Sequence, residues 1–97
     1  MAALLVGRVT VKDPEKFQEY VAKSGPTIAE HGGEALFRAK TDKNLTGSGQ
    51  EHEITAIFKF PSLEKVDEWY ASDAYQALVA LRDDGADIQF ISYELMG

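Results

Sequence analysis

The stretch from Ala56 to Arg82, AIFKFPSLEKVDEWYASDAYQALVALR, constrains this chain more than any other. Thr55-Ala56-Ile57-Phe58-Lys59-Phe60 is rich in β-branched and aromatic residues, which suit a pleated, partly buried surface. Pro61 has no backbone N–H and cannot extend a central ladder, so the strand is expected to stop there. Ser62 is placed to cap the free N–H groups of a helix that begins at Leu63. Leu63, Val66 and Tyr70 fall at i, i+3 and i+7, an apolar stripe with Trp69 at its border. The pattern restarts at Ser72-Asp73. Asp73 and Gln76 have the form of a capping box, and Leu78, Val79 and Arg82 continue the helix.

The remaining segments complete an alternation of strands and helices. Ala3 to Val11 reads as a first strand, with Leu4, Val6 and Arg8 on one face and Leu5, Gly7, Val9 and Val11 on the other. Gly7 inside that strand suggests a bulge or a close approach of backbone. Asp13-Pro14 opens a helix, which Phe17, Tyr20, Val21, Ser24 and Ile28 carry at helical spacing. Gly25-Pro26 predicts a kink or short break, and Gly32-Gly33 ends the helix. Glu34 to Lys40 is a second strand, Leu36 and Arg38 on one face, Ala35, Phe37 and Ala39 on the other. Thr41 to Gly49 is a polar surface loop. The third strand is expected from about Gln50 to Phe60. Asp84-Gly85 turns into a last strand, Asp87 to Met96.

The order β-α-β-β-α-β predicts an α+β, ferredoxin-like fold, an antiparallel sheet with helices on one face. A sheet covered on one side should alternate apolar and polar residues, yet several strands here are apolar on both faces. Leaving the second face in water would expose a large apolar patch, so a homodimer through the sheet face is expected.

Ninety-seven residues suit a single domain, 1–97. A net charge of −6 without any basic run excludes phosphate-backbone recognition, so no nucleic acid partner is expected. The absence of cysteine removes disulfides, thiolate nucleophiles and thiolate metal sites. The opening MAALLVG lacks a charged n-region, and Arg8 breaks its apolar run. Neither a signal peptide nor a membrane span is read there, and a cytoplasmic protein without membrane contact is expected.

Phe60-Pro61-Ser62-Leu63, Trp69-Tyr70-Ala71-Ser72, Tyr75-Gln76-Ala77-Leu78 and Arg82 resemble the hallmark of domain-of-unknown-function family 1330. Val6 to Pro14 and His31-Gly32-Gly33 leading to Phe37-Arg38 agree with it. That family is similar to the dimeric α/β-barrel superfamily, which includes antibiotic-biosynthesis-type monooxygenases, muconolactone isomerase and chlorite dismutase. The resemblance implies a dimeric α/β barrel and an arginine at the position of Arg38. Ala39-Lys40 departs from the small glycines common after it.

Candidates for chemistry are few. Arg38 offers a planar, permanently charged fork for a carboxylate or enolate; its alternative is a structural ion pair. His31, at a helix end, reads either as a C-terminal cation or as a general base or haem-type ligand. Trp69, Tyr75 and Tyr20 read as core aromatics or as the wall of a small apolar pocket. His52 beside Glu51 and Glu53 lacks the convergent ligands of a metal site, so no metal is expected, and no cofactor either. Two functions stay open: binding of a small organic ligand between sheet and helices, or a cofactor-free oxygenase or isomerase of the antibiotic-biosynthesis-monooxygenase type.

Overall fold

A computed structural model describes residues 2–49 and 52–96. Strand β1 (Ala3–Val11) leads into helix α1 (Pro14–Glu30), then β2 (Glu34–Lys40) and β3 (Ile54–Phe60). Three short helices follow, α2 (Leu63–Ala71), α3 (Asp73–Gln76) and α4 (Val79–Gly85), before β4 (Ala86–Glu94). The four strands form one antiparallel sheet in the order β2-β3-β1-β4. This is the ferredoxin-like arrangement the element order predicts.

Local chemistry explains most boundaries. The Asp13 carboxylate accepts hydrogen bonds from the Glu15 and Lys16 amides, and Pro14 occupies the first turn of α1. Pro26 lies inside α1, which nevertheless runs unbroken to Glu30. The proline deprives one carbonyl, that of Ala22, of its helical donor, and Ala22 is exposed, so water can take that place. Beyond Glu30, Gly32 adopts φ +79°, and Gly32 and Gly33 donate back to Ala29 and Ile28. Gly7 marks a close approach: a Cβ there would meet the Phe90 ring at 2.9 Å.

The second helical region is more broken than its sequence suggests. Ser62 caps α2 through the Lys65 amide, as expected. At the restart the cap is Ser72, whose hydroxyl accepts from the Tyr75 amide, and not Asp73. Gln76 does not close a capping box; its side-chain amide donates to the Tyr70 carbonyl at 2.6 Å. A further break falls at Ala77-Leu78, and Gly85 ends α4 instead of sitting in a turn. Strand β4 therefore starts one residue early and stops at Glu94. Strand β3 starts at Ile54; Gln50 and Glu51 lie outside the described residues.

Ala3, Leu5, Gly7 and Val9 of β1 are buried beneath the helices, alternating with half-buried Leu4, Val6, Arg8 and Thr10 on the open face. In α2 the buried residues are Val66 and Trp69, while Tyr70 is 42% exposed, so Trp69 is the centre of the stripe and Tyr70 its border. Trp69, Tyr75 and Phe60 are the largest fully buried side chains. The Trp69 ring lies 4.3 Å from Tyr75, 6.0 Å from Phe60 and 5.6 Å from Phe90, the last edge-on at 88°. Its indole N–H donates to Thr27 Oγ1 at 3.0 Å, tying α2 to α1 across the core.

Replacing Trp69 by Ala should therefore cost about 3–5 kcal/mol, as for other buried aromatics. Trp69→Phe keeps most of the ring packing but leaves Thr27 without its indole donor, and should cost distinctly less. Urea denaturation of the three proteins measures both; an unmoved midpoint in Trp69→Ala would contradict the core assignment.

Candidate functional site

Helix α1 packs mainly against α4 and stands off from the strands beneath it. Small residues widen the gap: Gly25 on α1 faces a sheet surface that carries Ala35 and Ala56. A Cβ added at Gly25 would meet nothing within 4 Å. The result is a cavity of about 370 Å³ between α1 and the sheet, open towards β2. Phe17, Val21, Ile28, Phe58, Ile88 and Phe90 make its walls largely apolar. Tyr20, Ser24 and Arg38 are the polar side chains that reach it.

The register of β2 brings Arg38 there. Ala35 pairs with Phe58 and Phe37 with Ile57, so Leu36 falls in a bulge. Arg38 then pairs with Ala56 and shares a face with Ala35, not with Leu36 as simple alternation predicts. Arg38 is exposed, and among the described residues it has no ion-pair partner.

Tyr20 is buried in the cavity wall and begins a polar chain that leads away from it. Its hydroxyl lies 2.8 Å from the Tyr75 hydroxyl, either of which can donate. Arg82 donates from Nη1 to Tyr75 at 3.0 Å and to Tyr70 at 3.4 Å, and from Nε to Asp83 at 3.1 Å. Burial pushes the Tyr20 phenol well above its ordinary value, reinforced by Tyr75 and opposed by Arg82. Burial likewise raises Tyr75, against the pull of its hydrogen bonds to Tyr20 and Arg82. For Arg82 burial acts downward, but the hydrogen bonds to Tyr70 and Tyr75 outweigh it and the net shift is upward. At neutral pH the chain thus consists of two neutral phenols and a charged guanidinium, an array that gives hydrogen bonds and does not abstract protons.

Of the five side chains singled out in the sequence, Arg38 and Tyr20 come together on the cavity. Tyr75 stands behind Tyr20, and Trp69 behind Tyr75; neither lines the cavity. His31 caps α1, its Nδ1 donating to the Thr27 carbonyl at 2.9 Å, and is not part of the lining. His52 is within 3.0 Å of Thr10 Oγ1. Among the described residues no group of three or more His, Asp or Glu could hold a metal ion. No helix among them is long and apolar enough to cross a membrane. Sequence reasoning missed Arg82, although its place two helical turns after Tyr75 was a usable signal. It also missed Gly25, read there only as a helix interruption.

Both buried phenols ionise less readily folded than unfolded. Their contribution to stability is fully present below the unfolded value near 10 and is lost as pH rises above it. The slope should reach about 1.4 kcal/mol per pH unit for each phenol. Chemical denaturation between mildly and strongly alkaline pH checks this, and Tyr20→Phe should flatten the slope by roughly one phenol's share.

Comparison with known proteins agrees with the fold. A protein of unknown function from Rhodopseudomonas palustris superimposes with a TM-score of 0.80 at 19% identity, over 99% of this chain and 83% of that one. SnoaB, a cofactor-independent oxygenase from Streptomyces nogalater, gives 0.70 at 11% identity, covering 99% and 94%. A Dabb-family protein with a ferredoxin-like fold from Mesorhizobium loti gives 0.71 at 10% identity, covering 99% and 98%. At these identities the likeness concerns the fold. No curated protein matches the chain. Residues 2–95 match the model of the domain of unknown function DUF1330, and the chain belongs to that family.

Proposed function

We propose that this protein binds a small organic anion in the cavity between α1 and the sheet, acting as a homodimer joined through the open sheet face. The observation that carries the ligand reading is an apolar cavity of about 370 Å³ lined by an exposed arginine that has no ion-pair partner among the described residues. That volume falls within the range of small-molecule sites, where an apolar lining supplies affinity and a few polar groups supply orientation. Arg38 holds a carboxylate or enolate by its fork, and Tyr20 meets the body of the ligand from the wall. Tyr75 acts through Tyr20, while Trp69 and His31 hold the helices that frame the cavity. A cytoplasmic location fits the acidic, cysteine-free composition.

The dimer reading rests on the other face of the sheet. Leu4, Val6, Ile57, Ile91 and Tyr93 share it, with Phe37 paired to Ile57 and 55% exposed. Such a face is too apolar to be left in water.

A second reading, a cofactor-free oxygenase or isomerase, draws on the Tyr20–Tyr75–Arg82 chain, which would donate hydrogen bonds to an enolate oxygen. It also has the example of the fold in SnoaB. Oxygen uptake and absorbance changes with planar phenols and hydroquinones separate the readings: turnover supports the enzyme, saturable binding without turnover the binding module.

Two outcomes are expected. Small aryl carboxylates should raise the melting temperature, by the equivalent of about 2.7 kcal/mol at a hundredfold excess over Kd. Arg38→Ala should abolish the shift and Arg38→Lys reduce it, each with an unchanged unliganded melting point. No response of the wild type to any acid would end the ligand reading. Separately, sedimentation should give about twice the 10.7 kDa chain mass, and Ile57→Glu should yield monomers by placing an unpaired charge in the interface. A monomeric wild type at micromolar concentration would end the dimer reading.

A further inference from the structure

We infer that the ligand is an amphiphilic monoanion seated head-out: its anionic group at the β2 rim between Arg38 and Lys40, its apolar body inside, past Gly25. This rests on the binding reading above and specifies its ligand. Arg38 pairs with Ala56 and Lys40 with Ile54, so both cations project from the cavity-side face of the edge strand. A shallow depression lined by Arg38, Ala39, Lys40, Glu53 and Ile54 adjoins the cavity, sharing Arg38 and Ile54 with it. Among the described residues neither cation has an ion-pair partner, Glu53 included, although the chain carries a net charge of −6. Two unneutralised cations at the mouth of an apolar cavity form a place for an anion.

The interior offers no such place. The Tyr20 hydroxyl is engaged by Tyr75, and the Ser24 hydroxyl donates to the Val21 carbonyl at 3.4 Å. A carboxylate pushed inside would lose water without gaining a cation, a heavy desolvation cost. An alkyl or aryl body there meets Phe17, Ile28, Phe58 and Phe90 instead. Gly25 fits this orientation. Gly25 precedes Pro26, a place where a Cβ is disfavoured in helical backbone, and apart from its chain neighbours no atom lies within 4 Å of a Cβ built there. Gly25 lines the cavity at an exposed position, so a larger residue there would take up space at the way in and limit how much apolar chain enters.

The test is calorimetric titration with straight-chain monocarboxylates of increasing length, with the matching alcohols as neutral controls. Affinity should rise about fourfold per methylene. It should level off when the cavity is full, at on the order of a dozen non-hydrogen atoms if each takes roughly the volume of a water. The Arg38→Gln, Lys40→Gln double variant should weaken every acid by a common factor of ten or more, leave the increment per methylene unchanged, and leave the alcohols unaffected. Gly25→Leu should move the plateau to shorter chains. The unliganded melting point and circular dichroism of each variant check that one that loses binding still folds. Acids whose affinity ignores the double variant, or a plateau that Gly25→Leu does not move, would overturn the head-out orientation while leaving the binding reading intact. Failure of every alkyl and aryl acid to bind would overturn both.

Discussion

The hydrogen bond from the Trp69 indole to Thr27 ties α1 to α2 across the core, as the Tyr20–Tyr75 contact ties α1 to α3. It is buried, and it lies where α1 and α2 meet over the core that Tyr20 and Ile28 share with Leu5 and Phe60. Thr27 is itself fixed, its hydroxyl donating to the Ser24 carbonyl at 2.6 Å, while His31 holds the Thr27 carbonyl. A buried donor left without an acceptor costs roughly 1–3 kcal/mol, so α1 is positioned by a polar requirement as well as by apolar contact. This allows the helix to stand off from the strands on its far side without drifting.

That separation has a physical consequence. A helix laid directly on a sheet buries its apolar face and leaves no room; one anchored at its C-terminal end and against α4 leaves the β2 side open. Gly25, Ala35 and Ala56 lack the side chains that would fill the gap. The tight aromatic cluster of Trp69, Tyr75, Phe60 and Phe90 lies beside it and supplies the packing that the cavity forgoes. Rigidity and space are adjacent, an arrangement suited to a preformed site.

Much of this was legible in the sequence because it is local. Asp13-Pro14, Pro61-Ser62 and Gly32-Gly33 carry their start and stop chemistry within a few residues, and the structure uses each as written. The cap at Ser72 was misread because Ser72 and Asp73 can both serve; which one does depends on where α2 ends, a tertiary matter. At Pro26 the helix is not broken, since an exposed helix face lets water reach the carbonyl the proline strands. The cavity left almost no trace, because it consists of side chains that are missing on three separate elements. Arg82 reaches Tyr75 at the two-turn spacing the sequence shows, while its contact with Tyr70 spans the breaks at Ser72 and Ala77-Leu78.

The bulge at Leu36 shows how little sequence separates two different surfaces. With simple alternation from Ala35, Phe37 would oppose Ala56 on the cavity side and Arg38 would oppose Thr55 on the open face. The extra residue shifts the remainder of β2 by one, and a shift of one exchanges every side chain between faces. Phe37 thereby pairs with Ile57, though it still borders the cavity at the strand edge, and Arg38 and Lys40 join the cavity-side face. Without that shift Arg38 and Lys40 would join Arg8 and Lys59 on the open face, and Phe37 would take the place of Arg38 opposite Ala56. The surface proposed for assembly and the surface proposed for binding thus both depend on one residue without a pairing partner on an edge strand.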